Sequence, residues 1–146
     1  MMRTAPSTST RSAASLADVD LARSESVRVL VVDDMAPFRA AMAAVVEAAD
    51  GFVVVGQVAS GEESVTASAA LHPDLVLMDV NLPGIDGLEA TRQIRAGTTP
   101  PVVLLLSTYD ADGTDQLVRQ SGAAAYVTKA EFGPDRLAAV WAEATQ

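Results

Sequence analysis

The stretch Leu75-Val76-Leu77-Met78-Asp79-Val80-Asn81-Leu82-Pro83-Gly84-Ile85-Asp86-Gly87 decides the fold. Four apolar residues lead directly into an acid, which is typical of a parallel strand covered on both faces. Pro83-Gly84 predicts a turn, and a helix is expected to begin near Gly87. Because open α/β sheets bind their ligands at the carboxyl ends of strands, Asp79 is a candidate site residue. The alternative is that Asp79 only stabilises the turn that follows it.

Apolar segments with the same character occur on both sides of this stretch, and helical patterns separate them. Strands are predicted at residues 27–34, 52–58, 102–107 and 124–129. Helices are predicted from Pro37 to about Ala49, Ser60 to near Leu71, Gly87 to Ala96, Asp112 to Ser121 and Asp135 to about Ala144. The apolar face of the first helix is read from the spacing of Phe38, Met42, Val45, Val46 and Ala49. Strands alternating with helices predict an α/β fold with a parallel sheet and right-handed connections.

The composition narrows the class of function. The chain has 146 residues, a formal net charge of −9 and no cysteine. No basic patch is visible, so direct binding of nucleic acid is not expected. The lack of cysteine excludes disulfides and thiolate metal sites, and it is compatible with a cytoplasmic location. No apolar run is long enough to cross a membrane, so no membrane contact is expected.

The first 26 residues differ in composition from the remainder. Residues 1–15 are rich in Ser, Thr, Ala and Arg, and the first acid is Asp18. They lack the apolar centre of a secretory signal, so we expect a disordered extension over residues 1–26. A single folded domain is then expected over residues 27–146.

Polar residues stand at the C-terminal ends of four of the predicted strands. Asp33 and Asp34, Asp79, Ser107 and Lys129 stand at these ends, which a parallel sheet brings to one edge. Three neighbouring carboxylates repel one another unless a cation balances them, and Mg²⁺ prefers oxygen ligands. A lysine and a hydroxyl across the site are suited to holding phosphoryl oxygens. The set suggests attack of the Asp79 carboxylate on phosphorus, which gives an aspartyl phosphate.

These motifs together resemble the response-regulator receiver domain of bacterial two-component signalling. The resemblance covers residues 27–146 and rests on Val31–Asp34, Asp74–Asp79, Leu82–Gly87, Ser107 and Gly122–Lys129. The segment Gly87–Arg92, and Lys129 without a following proline, resemble receivers of the NarL type. The chain stops after the fifth predicted helix, so a receiver without the DNA-binding domain is expected.

The resemblance implies a flavodoxin-like fold, a doubly wound sheet of five strands in the order 2-1-3-4-5. It implies that Asp79 is the phospho-acceptor and a Mg²⁺ ligand. The other implied ligands of Mg²⁺ are Asp34, the backbone carbonyl of Asn81 and, through water, Asp33.

The resemblance also implies which residues respond to phosphorylation. Ser107 would turn toward the phosphoryl group, Lys129 would pair with it, and Tyr126 would move inward. The implied donor is a sensor histidine kinase or a histidine phosphotransfer protein. The implied output is an unknown downstream protein or a second copy of the chain, bound through the face of the fourth helix, fifth strand and fifth helix.

Two positions depart from the family pattern. Thr108 stands where a small Ala or Gly is usual, and its side chain would narrow access to the phosphoryl group. Ala130 replaces a proline that is frequently cis, so we expect a trans bond there, because a cis X-Ala bond costs several kcal/mol.

Two other functions stay open at this point. The first is a Mg²⁺-dependent phosphohydrolase with Asp79 as nucleophile, which would want a second acid two residues on, where Asn81 stands. The second is a degenerate receiver that acts only as a binding module, an alternative that the unusual Thr108 keeps open.

Overall fold

The central strand of the sheet is buried along its whole length. This computed structural model describes residues 25–109 and 115–146. The five strands are β1 (Val27–Val32), β2 (Phe52–Val58), β3 (Leu75–Asp79), β4 (Val102–Ser107) and β5 (Ala125–Thr128). The helices of at least seven residues that lie within these described ranges are α1 (Ala36–Ala48), α2 (Gly61–Leu71), α3 (Gly87–Arg95), α4 (Asp115–Ser121) and α5 (Pro134–Ala144).

All strand pairs are parallel, and their order is β2-β1-β3-β4-β5. The flavodoxin-like fold that the sequence predicted is therefore confirmed. Residues 1–24 of the extension predicted over residues 1–26, and the predicted start of the fourth helix at Asp112, lie outside the described residues. No helix within residues 25–109 and 115–146 is long and apolar enough to span a membrane.

The two faces of the sheet bury separate cores. On one face Met42 and Val46 of α1 and Leu137 and Val140 of α5 pack against alternate strand residues. On the other face Ala90 and Ile94 of α3 do so, and α2 and α4 add partly buried side chains. Because successive strand residues point to opposite faces, an unbroken apolar run such as Leu75–Met78 supplies both cores.

The apolar face predicted for the first helix is wrong at one residue. Met42 and Val46 are buried as expected, but Phe38 is 40% exposed. Phe38 lies in the first turn of α1, where the helix extends beyond the sheet. A helical side chain leans toward the helix N-terminus, so Phe38 reaches the carboxyl edge of the sheet and not the core.

The start of α2 is fixed by its own cap and by a neighbouring loop. The Ser60 hydroxyl accepts a hydrogen bond from Glu63 N at 3.1 Å, so Ser60 is the N-cap of the helix predicted to begin there. The Glu63 carboxylate in turn accepts a hydrogen bond from Ala59 N at 3.2 Å. The carboxylate of Glu62, in the first turn of α2, accepts a hydrogen bond from Ile85 N at 3.1 Å. This contact ties α2 to the loop between β3 and α3.

Gly87 is required by the close approach of α3 to the end of β3. A Cβ at this position would lie 2.8 Å from Val80 Cα and still nearer the Asp79 carbonyl oxygen. Both are backbone atoms, which cannot move aside without displacing the strand. Gly87 N also donates to Val80 O at 2.9 Å, so the loop closes tightly behind Asp79.

We therefore predict that Gly87→Ala lowers the free energy of unfolding by about 3 kcal/mol, because overpacking against backbone has no cheap relief. Gly97→Ala is the matched control, since its Cβ would meet only Ile94 O at 3.4 Å. Urea titration measures both variants. Equal stabilities for the two would contradict the packing described here.

Candidate functional site

Three carboxylates meet at the carboxyl edge of the sheet. Asp33 and Asp34 directly follow β1, and Asp79 ends the adjacent strand β3. One oxygen of each lies within 4.8 Å of the others. Asp33 and Asp79 are buried, whereas Asp34 is exposed. The structure thus brings together the three acids that the sequence pointed to.

Lys129 supplies the positive charge of this cluster. Its Nζ donates to Asp33 Oδ2 at 2.7 Å and lies 3.6 Å from Asp79 Oδ1. Its backbone N–H donates to Ser107 O at 2.7 Å, which fixes where the side chain leaves β5. Only 12% of the Lys129 side chain is exposed. The ammonium is therefore held inside the site by carboxylates that would otherwise repel each other.

Asp33 is locked in place from several directions. Its Oδ1 accepts from Met35 N at 2.9 Å, and its backbone carbonyl accepts from Arg39 Nη1 at 2.7 Å. With Lys129 on Oδ2, both carboxylate oxygens have a donor. These hydrogen bonds offset the free-energy cost of burying the Asp33 carboxylate.

Burial raises the pKa of the Asp79 carboxyl to about 6. The neighbouring Asp33 carboxylate adds to the rise, while the Lys129 charge and the Asn81 N–H lower the pKa. Asp34 contributes a smaller increase. Asp79 is therefore mainly ionised above neutral pH, at a cost in free energy that a bound cation would reduce.

Ser107, Asn81 and Tyr126 are linked through the loop after β4. The Ser107 hydroxyl accepts from Tyr109 N at 3.2 Å and from Asn81 Nδ2 at 3.5 Å. The Tyr126 hydroxyl donates to Tyr109 O at 2.9 Å. The peptide units of Tyr109 thus join the serine of the site to the tyrosine on β5.

Thr108 and Ala130 stand at the mouth of the site. Thr108 is exposed and lines, with Phe38, Lys129 and Ala130, a groove of about 380 Å³. The peptide bonds of the described residues are all trans, so the expected trans bond before Ala130 is confirmed. The groove opens between α1 and the loop after β5.

The donor set fits a hard divalent cation. All three clustered ligands are carboxylates, two of them buried, and Asn81 N donates to Asp79 Oδ1 at 3.3 Å, which keeps the Asn81 backbone beside them. An excess of buried negative charge with oxygen-only ligands suits Mg²⁺. Asp34, as the exposed member, faces solvent from which an ion would arrive.

Two contacts of the site were missed by sequence reasoning. Tyr109 was not singled out, because its role rests on backbone atoms that carry no residue signal. The ring of Phe38 was assigned to the core, yet it lies 4.2 Å from Lys129 Nζ. Its position in the first turn of α1 was the available signal.

The site and the fold are matched by a known family. The family model described as the response regulator receiver domain matches residues 29–141. The chain belongs to this family. Response regulator GacA of Pseudomonas viridiflava is 44% identical over 103 residues, which are 70% of this chain and 48% of that protein. Response regulator UvrY of Escherichia coli O6:H1 is 39% identical over 103 residues, 70% of this chain and 47% of that protein. This receiver chain spans about half the length of the curated relatives it matches.

Solved receiver structures agree with this membership. The receiver domain of the NarL response regulator from Mycobacterium tuberculosis superposes with a TM-score of 0.76 at 30% identity, covering 83% of this chain and 98% of that one. A response regulator of the LuxR family from Aurantimonas sp. SI85-9A1 gives a TM-score of 0.75 at 29% identity, covering 82% and 86%. The predicted NarL-type resemblance is confirmed.

We predict that Asp79→Asn stabilises the receiver in EDTA at pH 7.5 by about 1–3 kcal/mol, since one pKa unit corresponds to about 1.4 kcal/mol. The pKa of Asp79 in the fold, about 6, lies above its ordinary value of 3.8. The ionised carboxylate therefore costs stability above pH 6, and this cost fades as pH falls from 6 toward 4.

Urea titrations at pH 7.5 and pH 4.5 test this dependence, with the exposed Asp50→Asn as the control for an Asp-to-Asn exchange. The stability gained by Asp79→Asn over the parent protein should be present at pH 7.5 and smaller at pH 4.5. An Asp79→Asn variant less stable than the parent at pH 7.5 would contradict it.

Proposed function

We propose that this receiver accepts a phosphoryl group on Asp79 from a phosphohistidine of a sensor histidine kinase or a histidine phosphotransfer protein. The observation that carries the proposal is the meeting of three carboxylates and one buried ammonium at a single edge of the sheet. Asp79 is the member that ends the central strand, so it faces a ligand at that edge. Its relatives are named response regulators, which supports a signalling role.

The bonds made and broken in the transfer involve only the Asp79 carboxylate and the phosphohistidine donor. A carboxylate oxygen of Asp79 attacks the phosphorus in line with the phosphorus–nitrogen bond of phosphohistidine. That bond breaks, its electron pair stays on the imidazole nitrogen, and an acyl phosphate forms on Asp79. Because the pKa of Asp79 is about 6, the attacking carboxylate is mostly ionised at pH 7.5.

The remaining site residues hold the transferred group. Asp34, Asp79 and the Asn81 backbone carbonyl would ligate Mg²⁺, and Asp33 would hold it through water. When bound, Mg²⁺ neutralises charge on the phosphoryl oxygens. Lys129 pairs with one oxygen, and the Ser107 hydroxyl, freed from Tyr109 N, donates to another. Thr108, at the mouth of the site, limits access to the group.

Asn81 argues against the phosphohydrolase alternative. That chemistry needs a general acid two residues after the nucleophile, and the Asn81 amide lies 3.5 Å from Ser107 Oγ with no acidic proton to give. The intact acid cluster with Lys129 argues against a degenerate receiver. We therefore favour a phospho-acceptor with at most self-phosphorylation and self-dephosphorylation activity.

The signal would leave through the face of α4, β5 and α5. Rotation of Ser107 toward the phosphoryl group breaks its bond to Tyr109 N and opens space that Tyr126 can enter. A groove of about 170 Å³ beside Ser107 and Tyr126 offers room for such a movement. A downstream protein or a second copy of the chain would bind this face in the phosphorylated state. A cytoplasmic location and the domain boundary at residue 27 stay predictions.

The phospho-acceptor assignment predicts that Asp79→Asn takes up no phosphoryl group from acetyl phosphate, because the amide lacks the nucleophilic charge. Intact-mass measurement should detect the adduct as a mass increase on the parent protein and not on Asp79→Asn. Asp50→Asn should keep it.

Two further arms sharpen this test. Excess EDTA should abolish the adduct on the parent protein, and Asp34→Asn should reduce it by weakening the cation site. An adduct retained on Asp79→Asn would place the acceptor elsewhere, and full phosphorylation in EDTA would contradict the role of Mg²⁺.

The output assignment predicts amide NMR shifts in α4 and around Tyr126 when beryllofluoride, a phosphoryl mimic, is added with Mg²⁺. The contacts that Ser107 and Lys129 make to the mimic supply the bias between the two states. Tyr126→Phe, which lacks the hydroxyl bound to Tyr109 O, serves as the comparison. Shifts confined to the loops around Asp33 and Asp79 would refute a switch on this face.

A further inference from the structure

The ring of Phe38 occupies a place that burial does not explain. Phe38 is 40% exposed and contributes little to either core. At this exposure the ring gains only part of the hydrophobic free energy that full burial would give it. The ring instead lines a groove of about 380 Å³ that Lys129 also lines.

The contact made by this ring is to the ammonium of Lys129. The Nζ atom lies over the face of the Phe38 ring, 4.2 Å from its centroid. The face of an aromatic ring carries partial negative charge, and a cation within about 6 Å of the centroid is attracted to it. The attraction is larger for a desolvated cation, and the Lys129 side chain is only 12% exposed.

The ammonium therefore has three partners, and two of them compete with its proposed task. Asp33 Oδ2 at 2.7 Å and Asp79 Oδ1 at 3.6 Å hold Nζ by charge. A phosphoryl group on Asp79 would draw Nζ toward its oxygens and away from Asp33. The ring face carries no net charge, so it can stay in contact with the ammonium during this shift without competing with the phosphoryl oxygens for its positive charge. The ring also excludes water from the side of the ammonium that it covers.

The backbone makes this contact a property of the fold. Lys129 N is bound to Ser107 O at 2.7 Å, so the lysine leaves β5 at a fixed point. Phe38 stands in the first turn of α1, next to Pro37, whose ring restricts the backbone there. Arg39 Nη1 binds Asp33 O at 2.7 Å, which ties the same turn to the loop that carries the acids.

We propose that Phe38 is a positioning residue that holds the Lys129 ammonium, through a cation–π contact, where it can pair with the phosphoryl group. The inference rests on the proposed function of Asp79 and Lys129. Phe38 touches neither donor nor phosphoryl group in this role, and it acts only through Lys129. Loss of the ring face leaves the ammonium more solvated and freer to stay on Asp33.

The test replaces the ring while acetyl phosphate serves as donor, so that no protein donor has to dock on α1. Phe38→Leu keeps apolar volume but removes the π face, and it should slow phosphorylation of Asp79 in Mg²⁺ by about 3- to 30-fold. Phe38→Trp and Phe38→Tyr keep a π face and should stay within about threefold of the parent. Phe52→Leu makes the same exchange at the opposite edge of the sheet and should leave the rate unchanged.

A fluorinated ring separates charge attraction from packing. Pentafluorophenylalanine at position 38 keeps nearly the same shape but withdraws the negative charge of the ring face. It should behave like Phe38→Leu, although its fold is intact by circular dichroism. A rate within twofold of the parent for either of these two variants would overturn the proposal. So would an equal loss in Phe38→Trp.

A readout that needs no phosphorylation distinguishes this inference from the proposed function. The ε-methylene protons of Lys129 should carry an upfield ring-current shift in the parent that is lost in Phe38→Leu. If the parent takes up no phosphoryl group, the proposed function fails, while this shift still reports the contact. If the parent is phosphorylated but the shift is absent, the positioning role fails alone.

Discussion

The burial of β3 on both faces is the constraint on which the rest of the structure depends. A strand with no exposed face needs helices above and below it, and the parallel direction of the strands places every loop after a strand at the same edge. Asp79 ends this strand, and Asp33 follows its neighbour β1 in register with it. The acid cluster is thus a result of how the sheet is covered, because the topology delivers the ends of β1 and β3 to one place.

Electrostatic cost is the second constraint. Two buried carboxylates beside a third, exposed one are unfavourable, and the pKa of Asp79 is raised first by burial and then by the neighbouring Asp33 charge. Lys129 offsets part of this cost through Asp33, while Asp79 has the weaker contact at 3.6 Å. The negative charge of Asp79 is therefore only partly balanced, and stability is given up at a place where binding of a cation would restore it.

Much of this arrangement could be predicted from the sequence because it follows from local patterns. The run into Asp79 fixed the buried strand, and the serine at residue 60 fixed a helix start that its hydroxyl now caps. The contacts that escaped prediction join residues far apart in the chain through geometry alone. Glu62 bonds to the backbone of Ile85, and the Phe38 ring faces Lys129, 91 residues further on. No periodicity encodes such pairs, since each depends on how the helices settle on the sheet.

The bond between the Tyr126 hydroxyl and the carbonyl of Tyr109 has a practical consequence. The acceptor is a main-chain atom, so the side chain at residue 109 is not needed for the bond. That side chain is 71% exposed. Because the chain has no cysteine, Tyr109→Cys would introduce a single thiol for a fluorescent label. The label would lie on the loop that follows β4. It would leave in place the two hydrogen bonds by which the main chain at residue 109 contacts Ser107 and Tyr126.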